Sequence, residues 1–130
     1  LYHIKKYYLR NGRDFMAAKN TLTTGIAELL ILSILNEKDS YGYEICKIIK
    51  ENSDGLISLS YNTTYAATCK MIDSGLVTEK NVKVGKKRTR IYFHLEDKGR
   101  DYYNKLYETY QNMSLGVDKI FHSLKEQNEE

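Results

Sequence analysis

Lys86, Lys87, Arg88 and Arg90 fall within five residues, with Lys80 and Lys83 just before them and no acidic side chain from Lys80 to Leu95. Cations this dense suit a polyanion, since each can neutralise a phosphate and release its counterion. Upstream, Ser60, Tyr61, Asn62, Thr63, Thr64 and Tyr65 form a run of hydroxyls and one amide. Such groups reach phosphates and base edges without the cost of burying a charge. Asn62 carries the donor and acceptor that match adenine, and the rings of Tyr61 and Tyr65 suit thymine methyls or sugar edges. Ser60 is better placed as a helix cap, which would put its own contact at a phosphate. Lys70 adds a further charge, and Tyr41 a ring at the start of the preceding helix. These twelve residues (Tyr41, Ser60–Tyr65, Lys70, Lys86, Lys87, Arg88 and Arg90) are the expected contacts to double-stranded DNA.

No set of residues suggests catalysis. The chain has no phosphate-cradling glycine loop, no H-E-x-x-H and no carboxylate pair in an apolar setting. Cys46 and Cys69 stand apart, and His3, His94 and His122 are scattered, so neither a metal site nor a cofactor is expected. The cysteine spacing leaves a disulfide open. With no secretion signal in view, reduced thiols in a cytoplasm are expected.

The chain has 130 residues, 42% of them hydrophobic, which suits one domain with one core. It lacks proline, so collagen-like and polyproline readings fall away, and no apolar run approaches a membrane span. Its net charge of +3 hides an asymmetry. Residues 1–95 carry 15 Lys and Arg against 9 Asp and Glu, whereas residues 96–130 carry 5 against 8. A focused basic surface on a nearly neutral chain points to a polyanion met by one face.

The elements that position these residues follow from periodicity. Gly25–Asn36 is apolar almost all round and reads as a buried helix, with Thr23 or Thr24 as its cap. Tyr41–Asn52 is amphipathic, with Tyr41, Ile45, Ile48, Ile49 and Asn52 on one face, and Gly55 suits the left-handed turn after it. A third helix opens at Ser60 or Asn62 and ends by Ser74-Gly75. Leu76–Val84 and Thr89–Leu95 alternate around Gly85–Arg88, a hairpin with a basic tip. From Asp97 a helix can run to about Lys125. Along it Tyr103, Leu106, Tyr110, Met113, Val117, Ile120 and Leu124 follow at steps of three and four, a coiled-coil seam. A partner helix is the favoured reading of that seam, with Ile26 and Leu30 of the first helix contributing. Packing on its own domain is the alternative.

Three helices, a hairpin and a long helix describe a mainly α winged helix-turn-helix, whose third helix enters the major groove. Residues 21–96 form that domain and residues 97–130 a dimerisation helix with an acidic tail. Residues 1–20 are set apart as a basic and aromatic segment bearing Lys5, Lys6, Arg10 and Arg13. Met16-Ala17-Ala18 reads as a translation start, which would make the residues before it a native arm or a foreign extension.

A series of short motifs also carries a resemblance. Tyr41-Gly42-Tyr43-Glu44-Ile45, Gly55–Ser60, Thr63-Thr64-Tyr65 through Met71, Ser74-Gly75-Leu76-Val77 and Arg88–Leu95 running into Lys98-Gly99 resemble the PadR family of bacterial transcriptional regulators, over about residues 24–124. The resemblance implies a cytoplasmic homodimeric repressor of the smaller subfamily, with a single C-terminal helix. It implies Tyr65 as a DNA contact. The sequence departs from the family pattern where Thr64 replaces a leucine, Ala66 a proline and Thr68 a core leucine. Thr64, Thr68 and Met71 would then pack the third helix against the core. Tyr103, Tyr107 and Tyr110 are candidates for an aromatic effector pocket at the dimer interface, although the chain lacks the tryptophan that multidrug-binding relatives use. Three readings stay open: a repressor released by a small molecule, an effector-independent DNA-binding regulator, and a winged-helix module that binds another protein.

Overall fold

Apolar residues that recur around the whole circumference of a helix have to be covered from several sides, and this governs how the other elements gather. In a computed structural model, which describes residues 12–129, that helix is α1 (Gly12–Glu37). Its Ala27, Leu29, Ile31, Leu32 and Leu35 are buried, and Ile31 and Leu32 are fully sealed. Around it stand β1 (Ser40–Tyr41), α2 (Gly42–Asn52), α3 (Tyr61–Asp73), β2 (Val77–Val84), β3 (Arg88–Leu95) and α4 (Asp97–Glu129). α2 contributes Ile45 and Ile49 to the core, α3 Met71, and the sheet Val77, Phe93 and Leu95. Each fully buried Ile, Leu, Met or Val is worth about 1.5–3 kcal/mol in transfer from water.

The sheet is antiparallel in the order β1-β3-β2. The hairpin pairs Val77 with Leu95 at its base and Val84 with Arg88 at its tip. Gly85 turns the chain there at φ +79°, a left-handed conformation that glycine adopts without strain. β1 adds a third strand by pairing Ser40 with Phe93 and Tyr41, expected in the second helix, with Tyr92. Two residues are too few to show alternation.

The first helix is longer than its apolar stretch. Thr23 and Thr24 lie inside it rather than capping it, and it crosses the boundary set at residue 20. Met16, Ala17, Ala18 and Lys19 are good helix formers, and an interior threonine costs less than about 1 kcal/mol. The basic and aromatic residues 1–11 lie outside the described residues.

α4 is anchored at its first turn. A side chain at Gly99 would collide with the Leu76 carbonyl oxygen and come within 2.7 Å of Leu95 Cδ1, so only glycine lets helix and strand approach this closely. Tyr103 and Leu106 then pack, half-buried, on the chain's own core. This corrects the reading of the seam: its first two members serve their own domain, and Tyr110, Met113, Val117, Ile120 and Leu124 stand exposed. Tyr107 and Phe121, also exposed, fall beside the seam and widen it. Among the described residues no helix is long and apolar enough to cross a membrane.

Candidate nucleic-acid interface

α3 begins where Ser60 caps it. Ser60 adopts an extended backbone, and its Oγ accepts from the Thr63 N–H at 3.0 Å while donating to Thr63 Oγ1 at 2.9 Å. Two of the expected contacts are thus already bonded to each other at the helix start. Inward, the helix shows Thr64, Thr68 and Met71, all fully buried. Of the two readings of Thr64, this burial corrects the DNA contact and agrees with the packing expected beside Thr68 and Met71. Thr64 Oγ1 lies 3.2 Å from Cys46 Sγ on α2, and Thr68 Oγ1 donates to the Tyr65 carbonyl at 2.8 Å. Both hydroxyls are satisfied, which removes the cost of burying them.

That inward face settles the rotation of the helix. At 100° per residue, Asn62 and Ala66 lie nearly opposite it, and both are exposed. The small Ala66 leaves the outer face flat. Tyr61 and Tyr65 flank this face on one side, 41% and 52% exposed, and Lys70 flanks it on the other, in the last turn. Tyr65 is a phenol held above its ordinary pKa, first by its hydrogen bond with Cys69. It stays a neutral hydroxyl donor at physiological pH.

Across a groove of about 400 Å³ from Tyr61 and Tyr65 stands the wing, with Arg88, Thr89 and Arg90 on the facing wall. Lys86, Lys87 and Arg88 are exposed at its tip. Arg90 is not free in the same way. Its guanidinium sits over the Tyr41 ring at 4.0 Å, and its interaction with Tyr92 raises its pKa further. Tyr41, half-buried, also meets Tyr92 edge-on at 5.3 Å between centroids. Of the two expected contacts, Arg90 and Tyr41, each is engaged by the other.

Tyr43 is absent from the twelve expected contacts, although it flanks Gly42 just as Tyr41 does. It is 67% exposed and lies on the same groove, with its ring stacked on Tyr61. The signal was present in Tyr41-Gly42-Tyr43, but which tyrosine faced outward depended on the helix's rotation. Ile26 and Leu30, expected at a dimer interface, are half-buried, and Leu30 packs on the chain's own core. Leu30 and Ile34 also line a shallow apolar groove of about 210 Å³ with Ile48 and Ile57.

Comparison with known proteins agrees with this geometry. The model of the transcriptional regulator PadR-like family matches residues 31–105, which is more than half of the chain. A transcriptional regulator from Clostridium thermocellum is 30% identical over 73% of this chain and 89% of its own, with a TM-score of 0.67. A PadR family transcription regulator from Clostridium difficile is 27% identical over 74% of this chain and 98% of its own, with a TM-score of 0.65. The PadR protein of Bacillus subtilis, solved in complex with operator DNA, has the same fold at 23% identity, covering 62% of this chain and 47% of its own, with a TM-score of 0.58. No curated protein matches the sequence. With a family model over most of the winged domain and a solved relative at 30% identity across 73% of the chain, this protein belongs to the PadR-like family of transcriptional regulators.

Proposed function

We propose that the chain is a homodimeric repressor that binds double-stranded operator DNA and is released by a small molecule. The observation that carries the DNA contact is a groove with Tyr61 and Tyr65, which flank the exposed outer face of α3, on one wall and Arg88, Thr89 and Arg90 of the wing on the other, with Lys86 and Lys87 exposed at the wing tip. α3 enters the major groove, where Asn62 reads an adenine and Tyr61 and Tyr65 meet methyls or sugar edges. Ser60, with Thr63, holds the helix start against a phosphate. Lys86, Lys87 and Arg88 neutralise phosphates beside it, an affinity that weakens with salt. That Bacillus subtilis PadR, a protein of the same fold, was solved in complex with operator DNA supports the reading of operator binding.

The exposed apolar stripe from Tyr110 to Leu124 is the dimer contact, since a solvated monomer would leave Met113 65% exposed beside Ile120 and Phe121. Two α3 helices in such a dimer read an inverted repeat with half-site centres about 10 base pairs apart. A bound dimer represses by occupying the promoter. Tyr103 and Tyr107, with ring centroids 6.0 Å apart, offer an aromatic effector a place beside the dimer contact.

A mobility shift against the DNA upstream of the chain's own gene tests this. A shift that resists scrambled competitor and reverses with an aromatic compound is expected. No shift from a protein that still dimerises would favour the protein-interaction module.

A further inference from the structure

Three tyrosine rings stand in a row on the surface between α2 and α3. Tyr43 stacks on Tyr61 with 4.4 Å between centroids and 15° between planes, and Tyr65 follows 6.1 Å beyond Tyr61. None belongs to the core. The row has a prepared seat: a Cβ at Gly42 would stand 2.9 Å from Tyr61 Cε2, so the edge of the Tyr61 ring abuts bare α2 backbone. Glycine at the first position of a helix is otherwise a poor choice, because it loses more backbone freedom than alanine. Gly42 has no positive φ to justify it. Its lack of a side chain therefore serves the ring. Tyr61 is held with its Cε2 edge against Gly42 and Tyr43 stacked on its face, and it lines the groove that faces the wing.

We propose that Tyr43 is a specificity-determining residue that acts by positioning Tyr61, with Gly42 clearing the space for the ring. A tyrosine free to rotate presents a methyl-sized edge only part of the time. A stacked one presents it in one orientation and discriminates thymine more sharply. This inference rests on the DNA-binding reading above.

The test uses the full chain and two probes: duplexes that the wild type enriches from a random-sequence library, and scrambled duplexes of the same composition. Aromatic stacking of the usual strength corresponds to about a 3- to 10-fold effect. Tyr43→Ala is expected to bind the enriched duplexes weaker by that factor, to bind scrambled ones as before, and to melt as the wild type does. Tyr43→Phe, which keeps the stack, should restore discrimination. Gly42→Ala should lose discrimination while melting at the same or a higher temperature, because alanine favours the helix. The double variant Tyr43→Ala/Tyr61→Ala should bind no worse than Tyr61→Ala. An unchanged ratio between the probes in Tyr43→Ala or Gly42→Ala, additive losses in the double variant, or a Tyr43→Phe as weak as Tyr43→Ala would each overturn the proposal. A wild type that enriches nothing overturns the DNA-binding reading itself, and this inference with it.

Discussion

The guanidinium of Arg90 lies 4.0 Å from the centre of the Tyr41 ring, so the wing is fastened to the strand that leads into α2. The contact lays a cation over an aromatic face, and Tyr92 beside it raises the guanidinium's pKa further. Lysine keeps the charge but has no plane to lay on the ring. Arg90→Lys should therefore loosen the hairpin, seen as faster amide hydrogen exchange in β2 and β3, and weaken binding to every duplex alike. Unchanged exchange would mean that the sheet alone holds the wing.

The wing tip supplies affinity without sequence preference. Changing Lys86 and Lys87 together to Ala should weaken binding to specific and scrambled DNA by the same factor. The slope of log K against log salt should shrink by about one to two, because each lysine neutralises about one phosphate. A slope equal to the wild type's would take the tip out of the interface.

The exposed half of α4 should govern assembly. Val117→Asp with Ile120→Asp puts two charges into the stripe, and light scattering should then report a monomer. Because neither residue belongs to the core of its own domain, the variant should keep its helix content by circular dichroism. A persistent dimer would move the interface elsewhere, with the groove around Leu30 and Ile34 the next surface to test.

Stability should be most sensitive where α4 leaves the sheet. Gly99→Ala drives a methyl into the Leu76 carbonyl, and that backbone also accepts from the Glu96 N–H at 3.0 Å. Overpacking of this kind costs about 1–3 kcal/mol. Denaturant unfolding should show that loss even though alanine is the better helix former.

The wing, the four helices and the basic tip were legible because each leaves a local trace: a period of two, a period of three to four, or a run of like charges. What was not legible depended on what lies across from a residue. The spacing from Tyr103 to Leu124 is uniform, so it marked an apolar face without telling that Gly99 brings the first part of that face onto the chain's own core. Thr64 belongs by type to the polar run Ser60–Tyr65 and by position to the inward row with Thr68 and Met71; both readings stand open in the sequence, and its depth decides between them. Tyr41 and Tyr43 are equivalent as residues. Their opposite fates follow from Arg90 and Tyr61, each far along the chain. The start of α1 was missed because Thr23 and Thr24 look like caps when the helix formers ahead of them are discounted.

The most direct measurement is selection of duplexes by the purified protein from a random-sequence library, followed by sequencing. If α3 reads the major groove from a dimer, the enriched pool should hold an inverted repeat with half-site centres about 10 base pairs apart. An Asn62→Ala protein should lose preference at one adenine position in each half-site, by about 1–3 kcal/mol. A pool without a repeat, or the same repeat selected unchanged by Asn62→Ala, would contradict this account of how the protein recognises DNA.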